Sequence, residues 1–257
     1  MSHFSVKQKL LDGKPVLGIW NTLNSPRVTE IFSCAGLDFQ IIDFEHGPLD
    51  FNNLHNQVLA CTSNNKCSPL LRIPSNTDWM VLQALDQGVQ GIIVPHVECA
   101  DDLSKFSSFT KYSPEGIRGF SPYTSAWKYD KTNASSRIVS FNQSILRVGI
   151  IESLPGLHSL EKFLELNLLD VYYFGAYDLS LAFGKPGDPY DSVVLSHIQQ
   201  CIDMVNSANR FAGGFVPQSL VEVERLLDMG IKFVTYNVDS SILYSNVCSL
   251  ADYFSRL

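Results

Sequence analysis

Within the six residues DFEHGP, positions 43 to 48, the chain places Asp43, Glu45 and His46 directly after the apolar run FQII. Burying such groups at the end of a strand is costly unless they are paired or used, and a His beside a carboxylate is a tunable acid or base. Other chemistry-bearing residues stand at equivalent points. Trp20 and Asn21 close VLGIWN, Arg72 closes PLLR, His96 follows GIIVP, Glu152 follows LRVGII, and Asp178 follows VYYFGAY. Glu152 and Asp178 offer hard oxygen donors with no thiolate nearby, a pair that suits Mg²⁺, Mn²⁺ or a similar divalent ion with open positions for substrate or water. Arg72 supplies a fixed cation for a developing oxyanion. Together these parts describe metal-assisted enolate chemistry on a keto acid, in which metal and Arg72 polarise the carbonyl and His46 moves the proton.

Each residue also has a plainer reading. Asp178 suits a helix N-cap, Glu152 could cap a turn, Arg72 could form a buried ion pair with Glu45, and a lone His46 could be a hydrogen-bonded structural group. Their recurrence at six successive strand ends favours a shared site over six separate structural roles.

The elements that must position them follow from hydrophobic pattern. Eight short apolar runs, VLGIW, FQIIDF, PLLRI, GIIVP, LRVGII, VYYFG, AGGFV and KFVTYN, alternate with segments of helical periodicity. The latter include PRVTEIFSCAG, DWMVLQALDQG, LHSLEKFLELN, DSVVLSHIQQCIDMVNSA and QSLVEVERLLDMG, several of which end in Gly or Asn as helix stops do. Alternation from end to end predicts a parallel sheet, and eight such strands predict a single (β/α)8 TIM barrel over residues 1–257. No GxGxxG or Walker loop argues for an open sheet. In barrels of this kind functional groups lie at the C-terminal ends of the strands, where the set above falls. One stretch breaks the pattern: residues 109–140, containing TKYSPEGIRGFSPYTSAWKYDKTNASS, form an insertion that is either lid-like over the site or a plain surface excursion.

Composition narrows the partners. Hydrophobic residues make up 45% and charged residues 18% of the 257, as in a globular chain. With 19 basic against 26 acidic residues, a net charge of −7 and no basic cluster, no nucleic acid partner is expected. No apolar run reaches the length of a membrane span and the N-terminal MSHFSVKQKLLDGK lacks a signal-peptide core, so no membrane association and a cytoplasmic location are expected. The six cysteines lack a C-x-x-C pair and read as reduced, mostly structural thiols.

The quoted residues also resemble a known family. LGIWNTLNSPRVTEIFSCAGLDFQIIDFEHGPLDFNNL is similar to the opening of the HpcH/HpaI aldolases, the class II metal-dependent pyruvate aldolases of the phosphoenolpyruvate/pyruvate superfamily, through G-x-W at 18–20, A-G-x-D at 35–38 and D-x-E-H-G-P at 43–48. LLRIP, LDQGVQGIIVPHVECADD, YSPEGIRGF, IESLPGLHSLEKFL, GAYDLSLAFGKPGDPYDSVV and FVTYNVD follow in family order, so the resemblance spans nearly the whole chain. It implies a carbon–carbon lyase that cleaves or forms 4-hydroxy-2-oxo acids through a pyruvate enolate, with a keto acid and an aldehyde as small-molecule partners and Mg²⁺, Mn²⁺ or Co²⁺ as cofactor. Glu152 and Asp178 would hold the metal, Arg72 would stabilise the enolate, and His46, oriented by Asp86 or Asp43, would exchange the proton of the 4-hydroxyl. Trp20, Glu45, Gly175, Ala176 and Tyr177 would bind substrate. No strand-end lysine suggests a Schiff base; Lys232 enters its strand at the opposite end.

The resemblance further implies a homo-oligomer, a hexamer or trimer of dimers, with the last helix, SSILYSNVCSLADYF, exchanged between barrels. Some positions depart from the family pattern: Ile150 where Gln is usual, Ala176 and Tyr177 within the G-P-A-D-L motif, His96 in place of a residue that does not ionise, Asn237 for Gly, and Ser121 for the second Gly of R-G-x-G. Two alternatives stand beside the aldolase: a CoA-thioester lyase of the citrate lyase β type, and a non-catalytic binding barrel derived from an aldolase.

Overall fold

The computed structural model of the chain describes residues 5–257; the first residues of the N-terminal stretch read above as lacking a leader lie outside them. Eight parallel strands close into one barrel in sequence order. They are β1 (Val16–Asn21), β2 (Phe39–Asp43), β3 (Ser68–Arg72), β4 (Gly91–Val94), β5 (Leu146–Ile151), β6 (Val171–Phe174), β7 (Phe211–Gly214) and β8 (Phe233–Val238). Each of the eight apolar runs supplies one strand. No described helix is long and apolar enough to cross a membrane.

Alternate residues of the strands serve two cores, as a pleated barrel requires. Phe39, Ile41, Leu70, Ile93, Val148, Ile150, Val171, Tyr173 and Phe233 fill the interior. Their neighbours Ile42, Leu71, Ile92, Ile151, Tyr172 and Phe174 pack outward against the helices. Gly18 is glycine for a steric reason: a Cβ there would meet the Phe39 ring at 2.3 Å, and that ring stacks on Phe233 at 4.2 Å across the interior.

The first helix, α1 (Val6–Leu11), caps the N-terminal end of the barrel by burying Val6 and Leu10 among the interior residues. Six residues long, it was not legible as a helix from periodicity. Next come α2 (Pro26–Cys34), α3 (Phe51–Thr62), α4 (Asp78–Asp86), α5 (Ala100–Thr110) and α6 (Ala134–Ser144). Proline opens α2, and the Asp50 side chain caps α3 through the amides of Asn52 and Asn53. The segment read as one helix over LHSLEKFLELN is two, α7 (Leu154–His158) and α8 (Leu160–Leu166), broken at Ser159, whose hydroxyl donates to the Glu98 carbonyl at 3.0 Å. The remaining helices are α9 (Ala176–Ala182), α10 (Ser192–Ser207), α11 (Leu220–Asp228) and α12 (Asp239–Phe254).

The insertion does not behave as a lid over its own barrel. Its aromatic residues turn inward on one another: Trp127 and Tyr112 are buried, with Trp127 Nε1 donating to the Tyr112 hydroxyl at 2.8 Å, and Phe120 and Phe141 lie edge-on or tilted against them. Ala126 N–H donates to the Asp86 carbonyl at 3.1 Å, tying the segment to the last turn of α4. A helix following a barrel strand runs back down the outside, so the last turn of α4 is level with the strand starts. The insertion therefore packs at the N-terminal end, away from the chemistry.

Candidate active site

Glu152, just past β5, and Asp178, in the first turn of α9 beyond β6, face one cavity of about 450 Å³ at the C-terminal end of the barrel. Trp20, Asp43, His46, Arg72, Gly175, Ala176 and Tyr177 line it too. The plainer readings of both carboxylates fail. Gly175 is the N-cap of α9 and Asp178 lies within the helix, while α7 is capped by Ser153, not by Glu152. Asp178 makes no hydrogen bond or ion pair through its side chain with any described residue. Glu152 is buried, and Gly175 lets it sit there: a Cβ on residue 175 would meet Glu152 Cβ at 2.7 Å.

A continuous network runs behind the cavity. Arg72, at the end of β3, donates from Nε to Asp43 Oδ1 at 2.8 Å, makes a second bond to Asp43 Oδ2, and lies 2.9 Å from Glu45 Oε2 through Nη1. Its guanidinium also sits 4.3 Å over the Trp20 ring. Burial opposes the charged guanidinium, but the bonds and charges of Asp43, then Glu45, outweigh it and hold Arg72 above its ordinary value. His96 continues the chain of contacts. Its Nε2 is 3.1 Å from Glu45 Oε1, its Nδ1 is 2.8 Å from Glu152 Oε1, and its backbone N–H donates to that same oxygen at 2.7 Å. The ring can donate to both carboxylates only when both its nitrogens carry protons. A backbone φ of +53° at His96 turns amide and ring toward Glu152 together.

The chemistry of the donor set suits a divalent metal. Burial pushes the Glu152 carboxyl above the usual carboxylate range; the bonds and charge of His96 pull it back, and the nearby negative charges of Asp178 and Glu45 raise it again. Two carboxylates that repel one another across a cavity, one of them without a protein partner, are the environment a dication relieves. Among the described residues no group of three or more His, Cys, Asp or Glu is placed to hold an ion, so Glu152 and Asp178 fit a metal that takes its remaining ligands from substrate and water.

A family profile described as HpcH/HpaI aldolase/citrate lyase matches residues 17–245. The chain belongs to this family. A pyruvate aldolase of Rhizobium etli is 30% identical over 255 residues, covering 99% of this chain and 98% of the relative. A 4-hydroxy-2-oxovalerate aldolase of Rhodococcus jostii is 28% identical over 255 residues, with 98% and 96% covered. In fold, the chain is similar to the crystal structure of an HpcH/HpaI aldolase from Desulfitobacterium hafniense, with a TM-score of 0.93, 24% identity, and 99% and 98% of the two chains covered.

Three expectations from the sequence of this HpcH/HpaI member need correction. Asp86 does not orient His46. As the last residue of α4 it lies at the opposite end of the barrel, where it accepts from Arg118 Nη2 at 2.9 Å. The carboxylate beside His46 is Asp43, whose Oδ1 accepts the backbone N–H groups of Glu45 at 3.0 Å and His46 at 3.3 Å. That leaves the exposed His46 ring facing the cavity without a side-chain bond to any described residue. Glu45 does not line the cavity; it stands behind, between Arg72 and His96. Asn21 likewise turns away, donating to Thr29 Oγ1 at 2.8 Å beneath α2. Sequence reasoning passed over Thr22, Tyr173, Phe215, Val216, Gln218, Val238 and Ser241, which complete the lining from the ends of β1, β6, β7 and β8 and the start of α12. The last two strand ends carry no charged group pointing into the site, so charge-based reading stopped at the sixth.

Proposed function

We propose that the protein is a divalent-metal-dependent aldolase that cleaves 4-hydroxy-2-oxo acids to pyruvate and an aldehyde and joins them in reverse. The observation that carries this reading is the pair Glu152 and Asp178 on one cavity with Arg72 and His46, Asp178 having no partner among the described residues. Mg²⁺, Mn²⁺ or Co²⁺ held by these carboxylates would supply Lewis-acid polarisation of the 2-oxo group. In cleavage, the ring of His46 takes the proton of the 4-hydroxyl. The C3–C4 bond breaks, its electrons pass to the pyruvate portion as the enolate, and C4 leaves as the aldehyde carbonyl. Arg72, fixed by Asp43 and Glu45, stabilises the enolate oxygen. Protonation at C3 then gives pyruvate. Trp20, Gly175, Ala176 and Tyr177 shape the pocket around the keto acid.

The CoA-lyase alternative receives no support from the lining: Arg72 is its sole Lys or Arg among the described residues, and two carboxylates already engage it. The test is pyruvate release from a panel of 4-hydroxy-2-oxo acids with Mg²⁺, Mn²⁺, Co²⁺ or EDTA. Release that needs metal and disappears in Glu152→Ala supports the aldolase. Absence of release across the panel with metal bound sinks it.

We also infer a homo-oligomer built through α12. Within the helix only Asp239 is buried, fixed by the Thr22 and Leu23 amides at 3.0 and 2.9 Å, while Leu243, Tyr244, Val247, Leu250, Tyr253 and Phe254 are all exposed. An apolar face of this extent is characteristic of an interaction surface, and exchange of the helix between barrels would cover it. A monomeric mass in solution would contradict this assembly.

A further inference from the structure

The cavity has two unlike walls. The ends of β5 and β6 present carboxylates, whereas the β7 and β8 side presents Phe215, Val216, Gln218, Asn237, Val238 and Ser241, with no charged group. Asn237 is the fixed point of this second wall. It sits at the end of β8 with φ +56°, a left-handed conformation that Asn tolerates better than most residues, and is 7% exposed. Its Oδ1 accepts the Val238 N–H at 2.8 Å, which locks the plane of the amide. The Nδ2 group then has no hydrogen-bond partner among the described residues, although the residue is buried against the cavity. Nδ2 is not shut away from solvent, so it stands open to the cavity as an unpartnered donor that an acceptor on a ligand can take up in place of water. The side chains of Gln218 and Ser241 on the same wall are also without hydrogen-bond partners among the described residues.

Charge limits what that ligand is. Both sides of Arg72 are taken by Asp43 and Glu45, so a second carboxylate on the substrate would meet no free arginine or lysine and would face Glu152 and Asp178. A simple alkyl chain would cover Nδ2 without satisfying it.

We propose that Asn237 donates from Nδ2 to a hydroxyl group on the aldehyde half of the substrate, so that the enzyme selects short, uncharged hydroxyaldehydes over alkyl aldehydes of equal size and over acidic ones. This rests on the aldolase reading above and names the class of its second substrate.

The experiment is condensation of pyruvate by the metal-loaded enzyme with glycolaldehyde, propanal and glyoxylate, compared as kcat/KM. These share a short chain and differ in hydroxyl, methyl and carboxylate. Glycolaldehyde is expected to exceed propanal by about tenfold or more, and glyoxylate to fall below glycolaldehyde. Asn237→Gly keeps the left-handed backbone accessible and removes the amide; Asn237→Asp keeps shape and removes the donor. Each is expected to lower the glycolaldehyde to propanal ratio by about tenfold, and because each ratio is taken on one enzyme preparation, partial unfolding does not move it. A ratio near one in the wild type, a ratio unchanged in the variants, or a preference for glyoxylate overturns the proposal while leaving the aldolase in place. Failure of the wild type to condense pyruvate with any aldehyde removes the aldolase reading, and this inference with it.

Discussion

The two ends of the barrel use the same materials to opposite purposes. At the N-terminal end part-buried charges meet their opposites. Lys7 pairs with Asp170 at 3.0 Å, Lys9 with Asp38 at 2.6 Å, and Arg118 with Asp86 at 2.9 Å, while Asp38 also accepts the Leu17 N–H at 2.8 Å. At the C-terminal end the pairs Arg72–Asp43 and Arg72–Glu45 are equally close, yet the network stops short: Asp178 and the Nδ2 of Asn237 face the cavity with no partner among the described residues. The named charges at one end are paired within the chain, whereas the other end leaves Asp178 open to the cavity. A carboxylate that faces the cavity with no partner among the described residues, more than the presence of charge, marks the candidate functional end.

Substitutions separate the two ends. The largest expected effect is at the rim: Arg72→Ala should lower kcat by about 10³-fold, measured as pyruvate release with saturating metal. At the base, Asp86→Ala leaves Arg118 buried without its counter-charge and should cost about 3 kcal/mol of stability, read from urea unfolding, while the pH profile of the reaction keeps its shape. Were the pH profile to change with Asp86, the two ends would be coupled and the contrast broken. His96→Gln removes one of the contacts that orient Glu152, and by analogy with other groups that hold metal ligands should weaken metal binding by about tenfold, measured by calorimetry without substrate. The smallest effect on stability has the opposite sign. Asp178→Asn removes an unpaired charge from beside Glu152 and should raise the stability of the metal-free protein by about 0.5 kcal/mol, while abolishing metal-dependent activity. A loss of stability instead would mean that Asp178 has a structural partner and that the rim is as closed as the base.

Strand positions were legible because buried parallel strands leave short, continuous apolar runs, and each such run became a strand. The rim was legible for the same reason: Asp43, Arg72, Glu152 and Asp178 interrupt or follow those runs at comparable points. Asp86 was misplaced because family order gives its position along the chain but not its direction; only the return path of α4 puts it beside Arg118. For the insertion the sequence left a lid and a surface excursion both open, because composition does not say where Tyr, Trp and Phe point; here they pack on each other around Tyr112 and Trp127. His96 and Asn237 stood out as unusual residues, but their roles depend on positive φ angles that no hydrophobic pattern reports.

The central claim, that this cavity forms a pyruvate enolate, can be tested without knowing the aldehyde. Pyruvate incubated with the enzyme in D₂O should exchange its methyl protons for deuterium, followed by proton NMR, with Mg²⁺, Mn²⁺ or Co²⁺ present. Exchange that requires the metal and is lost in Glu152→Ala and Arg72→Ala is the expected result. Absence of exchange with metal bound, or exchange that persists undiminished in both variants, would contradict the assignment of the site.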